Sequence, residues 1–178
     1  IGDHLKRVGL DGEVLDSVVP SMYRLKYEIK GEPLISILIP NKDHVSDLRK
    51  CIVSIQEKTS YPNYEIIVIE NNSEEEKTFQ YYQLLEKRRN IRVVCWNGKF
   101  NYSAINNFGY TFAKGEYILL LNNDTEVISA DWLQEMLMYA QRGDVGAVGA
   151  KLYYPDNTVQ HGGVVLGVGG VAAHLHCN

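Results

Sequence analysis

The chain has 178 residues, 45% of them hydrophobic and 22% charged, the composition of an ordinary globular domain with room for one α/β core. Its formal net charge of −4 argues against a nucleic-acid-binding surface as the main role, because phosphate backbones are held by clustered Lys and Arg. No apolar run approaches the roughly 18 residues that a membrane span needs.

Residues 1–32 carry a weak pattern: a short amphipathic stretch, Pro20, and partial alternation from Met22 to Ile29. They read as a linker or N-terminal extension from an upstream region, ending in an edge strand, with one domain over 33–178. Leu34–Ile39 is an apolar run stopped by Pro40, short enough for a buried strand. Val45, Leu48, Ile52 and Ile55 then share one helical face. Tyr61-Pro62-Asn63 breaks that helix, and Tyr64–Ile69 is a second buried strand. The crossover between the two strands implies parallel pairing. Glu74–Arg89 reads as a helix with Ser73 as N-cap, and Ile91–Cys95 as a strand. In this reading Glu74-Glu75-Glu76 and Lys87-Arg88-Arg89 are the two ends of one exposed helix, arranged to suit its dipole.

Tyr102–Ala113 is helical by its Ile105, Phe108 and Phe112 stripe, and Tyr117–Leu121 is a strand, apolar throughout. A helix capped by Ser129 turns Trp132, Leu133, Met136 and Leu137 inward. Val145–Leu152 and Val164–Val168 read as two later strands. The alternation predicts an open α/β sheet, mostly parallel, with helices on both faces. Cys51, Cys95 and Cys177 are odd in number and lack CxxC spacing. Cys51 and Cys95 lie in apolar segments, so both are expected as buried free thiols, and a reducing, cytoplasmic setting follows. The chain starts without Met and stops after His174-Leu175-His176-Cys177-Asn178, so a longer parent protein is expected.

In open α/β sheets ligands bind beyond the carboxyl ends of the strands. Here those loops are Pro40–Asp43, Glu70–Ser73, Trp96–Asn101 and Asn122–Asp124, all strongly polar. Asn122-Asn123-Asp124 offers three oxygen-bearing side chains at a strand tip, a donor set for a hard divalent cation shared with substrate phosphates. The same three residues also fit a plain Asn-rich turn. Glu70-Asn71-Asn72-Ser73 offers an acid and amides that can accept a pyrimidine ring N–H, and it also fits a helix start.

Taken in order, Ser36-Ile37-Leu38-Ile39-Pro40-Asn41, Ile67–Ser73, Asn106-Asn107-Phe108-Gly109 with Ala113–Tyr117, and Leu121–Asp124 resemble the family 2 glycosyltransferases. The likeness runs from about Leu34 to the end of the chain. The resemblance implies the GT-A fold, with a Rossmann-like half that binds a nucleoside-diphosphate sugar. Position by position, it implies that Pro40 and the Asn41–Asp43 loop lie against the nucleoside. Glu70 and Asn71, with Asn72 beside them, occupy the pair that reads the base. Asn107 holds the Asn of an Arg-Asn-x-Gly motif, with Asn106 in place of the Arg and Lys99 as a substitute cation. Asn122, Asn123 and Asp124 occupy the metal-binding Asp-x-Asp, with Asp124 and Asn122 as the ligands.

Two departures bear on the chemistry. Asn122 replaces the first Asp of the metal motif, and Asn71 replaces the second acid of the base-reading pair. Loss of those charges implies weak metal affinity until a diphosphate supplies further oxygens to Mg2+ or Mn2+. The stretch Val148–Asp156 followed by Gln160–Val165 is similar to a bacterial subset that builds rhamnose-containing and related surface polysaccharides. His161, His174 and His176 gather in this segment; a His-x-His pair can bind metal or phosphate, or be incidental.

The resemblance thus implies transfer of a sugar, with inversion, from a UDP or dTDP sugar to a glycan or lipid-linked glycan. The expected setting is the cytoplasm, at the inner membrane face in the full-length protein, with the catalytic base beyond Asn178. A nucleotidyltransferase or a dinucleotide-dependent oxidoreductase would want a glycine-rich loop after the first strand, and Asn41-Lys42-Asp43-His44 has none. The non-enzymatic alternative is a catalytically incomplete nucleotide- or glycan-binding module of the same fold.

Overall fold

A computed structural model describes residues 1–167 and 172–174. The chain divides into two compact units: Ile29–Gln134, and Ile1–Glu28 together with Glu135–Asn178.

The unit Ile29–Gln134 is built on β3 (Ile35–Asn41), β4 (Tyr64–Glu70), β5 (Ile91–Cys95) and β6 (Tyr117–Leu120), in the order β5-β4-β3-β6 and parallel throughout. Between them run α2 (Val45–Lys58), α3 (Glu76–Leu85) and α4 (Tyr102–Tyr110). Leu38, Ile67, Ile69 and Val94 form one core cluster with Ile105 of α4. The alternate positions Ile37, Ile39, Ile66 and Val68 point to the opposite face by the period of two and are equally buried. Both faces of β3 and β4 are therefore covered, which is why they read as unbroken apolar runs.

Two glycines permit close approach. A Cβ on Gly109 of α4 would stand 2.2 Å from Ile69 Cδ1, so its absence lets the helix lie down on β4. A Cβ on Gly115 would meet the Ser36 backbone nitrogen at 2.6 Å; instead the Gly115 N–H donates to Ser36 Oγ. That hydroxyl donates to Glu65, which also accepts the Lys114 N–H, so the turn into β6 is fastened to β3 and β4.

Several expectations need correction. β6 is the outer strand of the described sheet and only half-buried, with Leu120 47% exposed, because nothing among the described residues pairs with its far edge. The third helix of the chain is shorter than 74–89 and is preceded by Glu75, not Ser73. Ser73 turns its hydroxyl to the Glu70 carboxylate, a charged acceptor and a stronger partner than a helix N–H. Cys51 is buried as expected, but Cys95, at the end of an outer strand, is exposed.

The other unit holds α1 (Gly2–Arg7) and a hairpin of β1 (Gly12–Asp16) with β2 (Tyr23–Tyr27). The Met22–Ile29 alternation is thus a strand of its own two-stranded sheet. The division falls inside α5 (Trp132–Ala140), whose buried stripe is Leu133, Leu137 and Met138; Met136 is only half-buried. Tyr27 of β2 meets Tyr139 edge-on at 5.4 Å between ring centres, and Arg142 lies over the Tyr27 ring. Of the expected strand Val145–Leu152, only Leu152 is in a strand: β7 (Leu152–Tyr153), paired with β8 (Val159–His161). Gly146 and Gly149 break up that apolar run, and a strand needs a partner more than it needs apolar content. β9 (Val164–Leu166) pairs with β10 (Ala172–His174). Val168, His176 and Cys177 lie outside the described residues.

Candidate functional site

Beyond the carboxyl ends of β3, β4 and β6, the loops named from the sequence converge on a cleft of about 260 Å3. Pro40, Asn41, Asn71, Asn122 and Asn123 line it. Lys42, His44, Phe100, Tyr102 and Ile105 complete the lining. His44, Phe100 and Tyr102 are lining residues that the sequence reading missed; an aromatic such as Phe100 in a strand-tip loop, 69% exposed here, was the available signal.

Asn41 organises the tips. It is 3% exposed, and its Nδ2 donates to the Tyr82 hydroxyl at 2.7 Å and to the Asp43 carbonyl at 3.0 Å. Its Oδ1 accepts from Asn123 Nδ2 at 2.6 Å. The Tyr82 hydroxyl donates in turn to Glu70 Oε2 at 2.6 Å. Burial, together with the Glu70 carboxylate, pushes the Tyr82 hydroxyl well above the usual phenol range, so it remains a donor. One polar chain thus links β3, β4, α3 and the Asn122–Asp124 loop.

Glu70 does not line the cleft. Glu70 is buried, and its carboxylate takes the Ser73 N–H and hydroxyl and the Tyr82 hydroxyl. Its neighbour Asn71 does line it: Asn71 Nδ2 donates to the Trp96 and Gly98 carbonyls, so the amide is held by both of its hydrogens. Asn72, in the left-handed region at φ 57°, donates to the same Gly98 carbonyl and is exposed. Trp96 folds over Gly98, where a Cβ would meet the ring at 2.6 Å, and its Nε1 donates to the Lys99 carbonyl. Lys99 and Asn107 are exposed and stand outside the cleft lining.

Asp43 takes a role that local pattern does not show. Its carboxylate accepts the N–H groups of Glu74 at 3.0 Å and Glu75 at 2.9 Å, so it caps α3 from a different strand tip. Those bonds, the Glu75 N–H first, hold its carboxyl below the ordinary range. Asp43 and His44 both have positive φ, at 51° and 47°, a strained pair sustained by this capping and by the start of α2 at Val45.

The Asn122–Asp124 loop rests on α2. Cys51 Sγ contacts the Asn122 carbonyl at 3.7 Å, Ser54 Oγ accepts the Val127 N–H at 3.0 Å, and Lys58 Nζ donates to the Val127 carbonyl at 2.7 Å. Positions 51, 54 and 58 share one helical face, which seats the whole 122–127 loop. Burial, with a smaller push from Asp124, raises the Cys51 thiol to about 12, so it remains neutral. Asp124 and Asn122 are exposed at the tip. No group of three His, Cys, Asp or Glu side chains able to hold a metal occurs among the described residues. One exposed carboxylate with two amide oxygens beside it fits a hard cation that takes its remaining ligands from a diphosphate and water.

A parallel sheet with polar loops gathered at its carboxyl end defines an α/β nucleotide-binding architecture. The Glycosyl transferase family 2 profile matches residues 36–164, and the chain belongs to that family. It is similar to the uncharacterized protein y4gI of Sinorhizobium fredii, 46% identical over 98% of this chain and 19% of that protein. It is also similar to the O-antigen biosynthesis protein RfbC of Myxococcus xanthus, 44% identical over 98% of this chain and 14% of that one. The chain therefore spans less than a fifth of either relative. Among solved structures, the mannosyltransferase PcManGT from Pyrobaculum calidifontis, in complex with GDP-Man and Mn2+, superposes with a TM-score of 0.63 at 16% identity. That match covers 73% of this chain and 38% of PcManGT, and it shows the GT-A fold. No helix among the described residues is long and apolar enough to cross a membrane.

Proposed function

We propose that this chain is the donor-binding part of a glycosyltransferase that transfers a sugar from a nucleoside-diphosphate sugar to a glycan or lipid-linked glycan, in the building of a bacterial surface polysaccharide. The observation that carries the reading is the cleft itself, where Asn41, Asn71, Asn122 and Asn123 from three strand tips meet. The name of the Myxococcus relative supports the polysaccharide assignment, and the GDP-Man of PcManGT supports a nucleotide-sugar donor.

In this reading the base enters beside Pro40 and Asn71, whose Oδ1 accepts a ring N–H, with Phe100 and Tyr102 as its apolar wall. Uracil and thymine each present such an N–H, which suits a UDP or dTDP donor. Lys42 and His44 stand where they can face donor phosphates. Asp124 and Asn122 would hold a Mg2+ or Mn2+ ion on the diphosphate, and such an ion, when bound, neutralises the departing nucleoside diphosphate. The Asn41–Asn123 bond fixes the metal loop against β3, so the donor meets a preorganised tip. In this reading the base that takes the acceptor proton must come within hydrogen-bond reach of the acceptor hydroxyl, and the expectation is an Asp or Glu beyond Asn178. Donor and lipid-linked acceptor would meet on the cytoplasmic side of the membrane.

Calorimetry of the chain with UDP, dTDP and GDP, with and without Mn2+, tests the proposal. Metal-dependent binding of one of them, weakened roughly tenfold or more by Asp124→Ala, is expected, since a lost charge-assisted contact costs at least about 1.4 kcal/mol. Equal binding by Asp124→Ala would remove the metal assignment. Binding of none would favour a catalytically incomplete module.

A further inference from the structure

A second cleft, of about 360 Å3, opens at the other end of the sheet. Arg88, Arg89, Arg92 and Lys114 line it, with Glu65 and Glu86. β4 is seven residues long and joins the two ends, so the clefts lie about 20 Å apart. The basic run was expected to complement the dipole of a helix. The helix ends at Leu85 with no basic residue in its last turn, so Arg88 and Arg89 sit in the turn beyond it, with Arg92 at the start of β5.

None of the four cations forms an ion pair among the described residues. Of the two acids, Glu65 has its Oε1 taken by Ser36 Oγ and the Lys114 N–H, and Glu86 is exposed at the end of α3. Four cations against two carboxylates leave a net positive concavity on a chain whose formal net charge is −4. Like charges held together cost free energy unless an anion joins them, and the planar forks of several Arg residues match phosphate oxygens bidentately.

We propose that this cleft is a second anion site that binds a phosphate-bearing ligand, separate from the donor cleft. The same chemistry is offered by a free di- or polyphosphate and by the headgroups of an anionic lipid surface. The assignment stands apart from the donor-site reading, because no residue lines both clefts.

The test titrates the chain with pyrophosphate in the presence of EDTA, following backbone amide shifts, and in parallel measures sedimentation with phosphatidylcholine vesicles with and without phosphatidylglycerol. Expected are shifts confined to residues 65–66, 86–92 and 114, or sedimentation that requires phosphatidylglycerol; the first identifies a soluble anion and the second a lipid headgroup. Arg88→Ala/Arg89→Ala/Arg92→Ala should weaken either by on the order of a hundredfold. These side chains are exposed and the turn is closed by backbone bonds, Arg88 N–H to the Leu85 carbonyl and Ile91 N–H to the Arg88 carbonyl, so the variant should fold. The control Lys26→Ala/Lys50→Ala/Lys77→Ala removes the same charge elsewhere and should leave binding within a few-fold. No binding of either probe, or equal loss in both variants, would overturn the proposal.

Discussion

Replacing Tyr82 by Phe removes a single oxygen from the centre of the network behind the donor cleft. That oxygen donates to Glu70 Oε2 at 2.6 Å and accepts from Asn41 Nδ2 at 2.7 Å. Each partner keeps another bond: Glu70 keeps Ser73, and Asn41 keeps the Asp43 carbonyl and the Asn123 amide. The loss is therefore that of one hydrogen bond to a charged group plus one between neutral groups, without a fully orphaned atom, or about 2 kcal/mol. Both tryptophans, Trp96 and Trp132, lie in the unit Ile29–Gln134, so their fluorescence reports on its unfolding. With a urea slope of about 2 kcal/mol/M, the midpoint should fall by about 1 M. A double-mutant cycle with Glu70→Gln should show coupling of at least about 0.5 kcal/mol. A Tyr82→Phe loss below about 0.5 kcal/mol, or strict additivity in the cycle, would refute the claim that this network ties the strand tips together.

Gly109→Ala should destabilise the same unit by about 1–2 kcal/mol, because overpacking against Ile69 outweighs the gain in helix propensity; Ile69→Val in the same chain should recover part of it. The Asp43 carboxyl is depressed by its bonds from the Glu75 and Glu74 N–H groups, so its stabilisation is present above the unfolded pKa of about 3.9 and is lost as pH falls through the lower folded value. Asp43→Asn should accordingly flatten the acid limb of a melting profile taken from about pH 6 to about pH 3; an unchanged limb would contradict the capping role. Cys51, raised to about 12 and buried, should resist iodoacetamide at neutral pH until the chain unfolds, whereas exposed Cys95 should alkylate in the folded state. Peptide mapping that found both labelled at one rate would contradict this.

The sequence alone was enough for the parallel βαβ order, the central strands and the loops that form the cleft. Apolar runs such as Ile35–Ile39 and Ile66–Ile69 and breaks such as Tyr61-Pro62-Asn63 are local signals, and an open sheet places its strand tips together once the order is known. Five of the expected site residues, Pro40, Asn41, Asn71, Asn122 and Asn123, do line that cleft. What those side chains do there depends on partners far away in sequence. Asp43 caps a helix that starts more than thirty residues later, Glu70 turns inward to Tyr82, and the Asp124 loop is seated by Cys51, Ser54 and Lys58. Periodicity says which face of an element is apolar; it does not say which polar group will satisfy which. That choice is made when the strands pack and each buried donor must find an acceptor, so only the tertiary structure could separate the residues that face the ligand from those that hold them in place.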